Sequence, residues 1–239
     1  MRSKNDHNAQ NTDGKDFSFS NIENFDEHID ASIPHYSTLN NNIVALSDYF
    51  VETGTNVYDI GCSTGKLLRR LKEQRDSKES IASGTSTKYI GLEINENFSK
   101  DFEQEKNFQL IEEDLLNYDN FDNASLITSV FTLQFISQKD RKKILQKIYD
   151  GLNDGGAFIF SEKIISSSAK IENIQTFLYY SFKRNNFSAE EILDKEVNLR
   201  SIMKPVTLEQ NLQMLKEVGF KDIDIFWRNF NFVGIVAVK

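Results

Sequence analysis

The 239-residue sequence holds one cysteine, two prolines and three histidines. A single thiol makes no internal disulfide, and His7, His28 and His35 are too scattered for a dense metal cluster. A disulfide scaffold is excluded, and no metal is expected. With so few prolines and 11 aperiodic glycines, the chain is neither collagen-like nor of low complexity. Basic charge is scarce as well. Twenty-eight Lys and Arg stand against 36 Asp and Glu, a net charge of -8, so no overall field favours a phosphate backbone. Direct nucleic-acid binding is therefore not expected. No apolar run approaches the ~18 residues of a membrane span, and the first residues carry no apolar signal core. These absences predict a cytoplasmic protein in a reducing compartment, without membrane attachment.

What is present is enough apolar content (39%) for a single α/β core at this length. Residues 1–16 are polar and aperiodic and read as a disordered tail; residues 17–239 read as one domain. In LNNNIVALSDYF (39–50), Leu39, Ile43, Leu46 and Phe50 recur at helical spacing. Strands and helices then alternate. The strands are TNVYDI (55–60), KYIGLEI (88–94), FQLIEED (108–114), ASLITSVFTL (124–133) and AFIFSEKI (157–164). The helices are GKLLRRLKEQ (65–74), NENFSKDFEQEK (95–106) and KDRKKILQKIYDGL (139–152), with a polar interruption at 75–87. Such alternation implies right-handed βαβ units and a parallel sheet. Residues 168–217 look almost wholly helical, with 168–205 as an addition, and IDIFWRNFNFVGIVAVK (223–239) closes the chain as a hairpin. The sum is a mostly parallel, Rossmann-like, seven-stranded sheet with an antiparallel C-terminal hairpin.

The most informative segment runs from Val57 through Asp59, Gly61, Cys62 and Ser63 to Gly65. A buried strand carries an acid near its end, and a glycine-bearing turn leads into a helix. Small residues let backbone approach a ligand at the carboxyl end of a strand, where open α/β sheets bind ligands. The spacing is neither G-x-G-x-x-G nor a P-loop, because Leu67 stands where a Mg²⁺-binding hydroxyl is needed. Glu93 ends the second strand, where nucleoside-binding folds place an acid on the ribose hydroxyls, and Asp114 ends the third. For each acid alone, a helix cap is the competing reading. The motif D-x-G-C-x-x-G resembles the first motif of class I S-adenosylmethionine-dependent methyltransferases. That resemblance implies S-adenosyl-L-methionine as cofactor, with Asp114 near its adenine.

A narrower resemblance covers the chain from about residue 18 to its end. FDEHIDASIPHY, VYDIGCSTG, NASLITSVFTLQF, KIYDGLNDGGAFIFSEK, FKRNNFSAEEI and FNFVGIVAVK resemble the carboxy-S-adenosylmethionine synthases of tRNA wobble-uridine modification. The resemblance implies a homodimeric class I fold that uses prephenate to carboxylate S-adenosylmethionine. It also implies cofactor contacts from Tyr36, Gly61, Cys62, Ser63, Glu93, Ile94, Asp114 and Leu115. Three positions depart from the family pattern. Val130 replaces an asparagine, Ala31 an arginine, and Glu196 the arginine that holds the added carboxylate. On a continuous helix Arg200 lies one turn after Glu196, placed to pair with it or to reach a carboxylate.

Other candidates are weaker. Cys62 reads as a small apolar residue beside a turn rather than a nucleophile. His35 is a candidate base near the reacting methyl, and Lys183 and Arg184 are candidates to face an anionic substrate. Phe226, Trp227, Phe230 and Phe232 read as hairpin packing. No catalytic dyad stands out, so the catalytic residues stay unassigned. Methyl transfer from an activated donor needs chiefly alignment. The leading expectation is an S-adenosylmethionine-dependent methyltransferase acting on a small molecule with the plain cofactor. The alternatives are the carboxylating synthase and a catalytically silent cofactor-binding partner subunit. Phe177, Leu178, Tyr179 and Phe182 in the added helices predict a homodimer.

Overall fold

The computed structural model describes residues 25–78, 86–100 and 102–239; the expected tail at 1–16 lies outside them. In chain order the elements are α1 (Phe25–Ser32), α2 (Tyr36–Ser47), β1 (Asn56–Ile60), α3 (Lys66–Asp76), β2 (Lys88–Glu93), α4 (Glu96–Ser99), β3 (Phe108–Glu112) and β4 (Ala124–Val130). They continue with α5 (Gln138–Gly151), β5 (Leu152–Lys163), α6 (Ala169–Lys183), α7 (Ala189–Ile202), α8 (Leu208–Val218), β6 (Asp222–Asn229) and β7 (Phe232–Val238). The seven strands form one sheet in the order β3-β2-β1-β4-β5-β7-β6. β1 pairs in parallel with both β2 and β4, while β7 runs antiparallel to both β5 and β6. The strand order therefore reverses at β1 and β4, and the crevice this leaves at their carboxyl ends is where such sheets take ligands.

Every residue of β1 is buried, because both faces of the central strand are covered. On one face Tyr58, Ile60, Ile127 and Phe158 pack with Ile144, Ile148 and Leu215 of α5 and α8. On the other, Val57, Leu126 and Ile159 pack with Leu39 and Ile43 of α2 and Leu68 and Leu71 of α3. The stretch 168–217 is three helices, α6 to α8. Capping boxes start the last two: Ser188 with Glu191, and Thr207 with Gln210.

Two expected elements are shorter than the sequence implied. The helix foreseen over 95–106 is the single turn of α4. Phe102 instead turns inward, 6% exposed, and stacks on Phe108 with ring centroids 4.8 Å apart. Burial of that ring outweighs local helix propensity. The strand foreseen to residue 133 stops at Val130, because Phe131 takes a left-handed φ of 57° and a 3-10 turn follows at Leu133–Phe135. Conversely, β5 begins at Leu152, five residues earlier than expected, with an irregular register against β4. α1 was not foreseen as a helix. Among the described residues no helix is long and apolar enough to cross a membrane.

Candidate functional site

At the reversal point the glycine turn is built by backbone geometry. Gly61 has φ 69° and donates its N–H to the Leu92 carbonyl at 2.8 Å, which ties the turn to β2. A Cβ on Gly61 would lie 2.2 Å from Thr132 Oγ1, so the turn and the β4 exit loop touch with no room for a side chain. Gly65, at φ 76°, opens α3, and a Cβ there would strike the Phe102 ring at 2.4 Å. Gly65 thus shapes the turn from behind and does not line the cavity.

The turn opens into a cavity of about 780 Å³. Tyr36, Asp59, Gly61, Cys62, Ser63, Glu93, Ile94, Asp114, Leu115 and Val130 all line it. Asp59 is 3% exposed and accepts a hydrogen bond from Thr128 Oγ1 at 2.7 Å. Burial pushes its carboxyl up to about 7; the neighbouring Glu93 adds to the shift and the Thr128 hydroxyl opposes it. Glu93 accepts the backbone N–H of Ser63 (2.9 Å), Ile94 (3.0 Å) and Asn95 (2.9 Å). Burial still raises its pKa against those three bonds. Glu93 therefore clamps the glycine turn to the end of β2 while facing the cavity. Asp114 Oδ1 accepts the Leu116 N–H at 2.9 Å, so this acid caps the turn after β3 as well as lining the cavity. The Cys62 thiol is buried, and burial raises its pKa, with Asp59 and Glu93 adding to the shift. A thiol held protonated is a poor nucleophile. The Tyr36 hydroxyl is likewise pushed up to about 12 by burial.

The wall made by α1, α7 and the end of β5 is polar in a different way. Lys163 and Glu196 form an ion pair at 3.5 Å, each side chain 17% exposed. Lys195 meets His28 and Ser32. Lys163, Lys195, Glu196, His28 and Ser32 all line the cavity. His28, Lys163 and Lys195 carry no sequence signal for this site, because nothing local separates them from other surface histidines and lysines. Three residues that the sequence offers as substrate contacts lie elsewhere. His35 is exposed at the N-cap of α2 and does not line the cavity. Arg200 is exposed too, and the partner of Glu196 is Lys163. Lys183 is 2% exposed, its ammonium 5.3 Å from the Tyr179 ring centroid and 5.7 Å from that of Phe187, behind the cavity wall.

A family profile described as a methyltransferase domain matches residues 58–158. The carboxy-S-adenosyl-L-methionine synthase of Staphylococcus epidermidis is 40% identical over 220 residues, covering 90% of this chain and 92% of the relative. The enzyme of the same name from Shewanella oneidensis is 35% identical over 217 residues, covering 90% and 88%. Among solved structures, a SAM-dependent methyltransferase from Archaeoglobus fulgidus superposes with a TM-score of 0.58 at 15% identity, covering 91% of this chain and all (100%) of that one. Human N-acetylserotonin methyltransferase, solved in complex with SAM, gives 0.59 at 16% identity, covering 85% and 52%. At such identities the superpositions establish the fold, a mostly parallel seven-stranded sheet of the Rossmann-like methyltransferase type.

Proposed function

The chain belongs to the carboxy-S-adenosyl-L-methionine synthase family, and from that premise we propose an S-adenosylmethionine-dependent transferase that carboxylates its own cofactor at the expense of a small anionic substrate. The observation that carries this reading is the division of one cavity into two chemistries. The glycine turn and the end of β2 present Asp59 and Glu93, and the wall of α1, α7 and the end of β5 presents Lys163 and Lys195. The residues fit the nucleoside. Glu93 would hold the ribose hydroxyls, Asp114 and Leu115 the adenine, and Asp59 and the Gly61–Ser63 backbone the methionine portion. Bound there, S-adenosylmethionine supplies a methyl group activated by a sulfonium cation. Tyr36, Phe131 and Tyr179 give the cavity aromatic surface, and lysine ammonium groups orient a carboxylate. A net charge of -8 and a concave cavity of about 780 Å³ favour a small molecule over nucleic acid. The lone buried thiol suits a reducing, cytoplasmic setting.

A second reading, methyl transfer from the plain cofactor to a small acceptor, rests on Glu196. It stands in the cavity wall where the family pattern has an arginine, and Val130 there offers no amide. Mass spectrometry of the nucleoside that co-purifies separates the two. The first reading expects the carboxylated form, and its production from S-adenosylmethionine and prephenate. Plain cofactor alone, with no product from prephenate, selects the second reading. Glu196→Arg adds a charge-assisted hydrogen bond to the added carboxylate and is expected to tighten the carboxylated nucleoside by ~10-fold relative to the plain one. Equal affinities in that variant would remove Glu196 from the site of discrimination.

We also propose a homodimer built on the added helices. On α6 and α7, Phe177 (70% exposed), Leu193 (64%) and Val197 (62%) present more apolar surface than a monomer keeps in water. Tyr179 and Phe182 are not part of that surface: Tyr179 is buried on Phe232, and Phe182 packs against the same core. Light scattering at micromolar concentration is expected to give twice the 27.6 kDa chain mass. Phe177→Glu should shift the protein toward monomer. A monomeric unmodified protein would sink the proposal.

A further inference from the structure

Lys195 is a half-buried cation that forms no ion pair among the described residues. The partners it has are neutral: Ser32 Oγ at 3.4 Å and His28 Nε2 in a close contact. Ser32 and His28 are themselves 3.3 Å apart, four residues along α1, and the His28 ring packs edge-on against Phe187 with centroids 5.4 Å apart. The imidazole is fixed in place, and burial, then Lys195 and Lys183, lower its pKa to about 4. It is therefore uncharged at neutral pH and accepts from the ammonium. Burial, with Lys183 adding, brings the Lys195 amine down to about 8, which leaves most of it protonated at pH 7.

The neighbouring charges do not balance it. Glu196 is paired with Lys163 at 3.5 Å and also attracts Lys183. Of the other acids lining the cavity, Asp26 reaches Lys66 at 3.7 Å, Asp59 and Glu93 belong to the glycine turn, Asp114 caps the turn after β3, and among the described residues neither Asp30 nor Glu113 forms an ion pair with Lys195. A half-buried cation held by neutral groups and lining a cavity lacks a paired counter-ion, and a bound anion supplies one. Leu199, Ile202 and Met203 extend the same wall with apolar surface.

We propose that Lys195, positioned by His28 and Ser32, is the carboxylate-binding residue of the second-substrate half of the cavity, in place of the absent arginine at position 196. The inference rests on the two-substrate reading of the cavity and names the residue that selects the anion. One uncompensated positive charge next to the Glu196 carboxylate matches a monoanionic carboxylate with an apolar body rather than a phosphate dianion.

Calorimetric titration with phenylacetate, and with 2-phenylethanol as its uncharged counterpart, tests this on protein loaded with S-adenosylhomocysteine. Phenylacetate is expected to bind the unmodified protein and to lose ~10-fold or more in Lys195→Met, while Lys195→Arg stays within ~3-fold. The alcohol should not distinguish the three proteins. Phenylacetate affinity unchanged in Lys195→Met, or no binding by the unmodified protein, overturns the inference. Displacement of phenylacetate by inorganic phosphate at lower concentration than by acetate overturns the assignment to a carboxylate. Failure of S-adenosylhomocysteine itself to bind would overturn the proposed function and this role with it. Nucleoside binding without Lys195-dependent phenylacetate binding overturns this inference alone.

Discussion

Gly61→Val is expected to abolish measurable nucleoside binding, a loss of at least ~100-fold by calorimetry with S-adenosylhomocysteine. Two independent effects act together. The φ of 69° at Gly61 is left-handed backbone, which a β-branched residue adopts at a cost of about 1–3 kcal/mol. The added Cβ would also lie 2.2 Å from Thr132 Oγ1 and 2.6 Å from its Cγ2. Threonine is stiff about χ1, so it cannot swing aside freely, and the turn must lift away from the β4 exit loop. That moves the backbone from which Ser63 donates to Glu93. Glu93→Ala should weaken binding through the same clamp, because it leaves three backbone N–H groups without their carboxylate acceptor. Circular dichroism establishes whether each variant is folded. A folded Gly61→Val that binds the nucleoside within 10-fold of the unmodified protein would contradict the placement of the cofactor at this turn.

Asp59→Asn is expected to stabilise the free protein at alkaline pH while removing its affinity for S-adenosylmethionine. The native carboxyl titrates near 7, above its ordinary value of 3.8, because burial disfavours the charged form. Between about pH 4 and pH 7 the native state therefore holds a proton that the unfolded chain releases. Stability falls as pH rises through this window, and the full penalty is present above 7. An asparagine can still accept from Thr128 and carries no such penalty. The variant should melt above the unmodified protein at pH 8, and the difference should vanish toward pH 4. Binding runs the other way. The ammonium and sulfonium groups of the ligand favour ionised Asp59, so the unmodified protein should lose affinity below pH 7, approaching ~10-fold per pH unit. Glu93, also raised by burial, should steepen the acid limb. Asp59→Asn should be weak throughout, with a flatter profile. Equal S-adenosylmethionine affinity in the two proteins at pH 8 would exclude Asp59 as a ligand-facing charge.

The sequence by itself determined the sheet and the glycine turn at its reversal point. Residues 157–160 are a continuous apolar run, residues 57–60 are apolar but for Asp59, and α5 repeats Ile144 and Ile148 at helical spacing. Those signals depend on residues within one turn or one strand of each other. The cavity-lining acids Asp59, Glu93 and Asp114 were legible for the same reason, since each lies within two residues of a strand's end, although β3 stops at Glu112, two residues before Asp114. Only the tertiary structure decided which residues stand opposite them. His28 rather than His35 reaches the cavity because α1 lines it while His35 is exposed at the N-cap of α2. Helical spacing offered Arg200 as the neighbour of Glu196, yet Lys163, 33 residues earlier at the end of β5, holds that carboxylate. Phe102 likewise left its helix for a stack on Phe108 beneath Gly65. In each case the deciding contact joins segments far apart in the chain, so its energy exists only once the sheet has brought them together, and no local pattern encodes it.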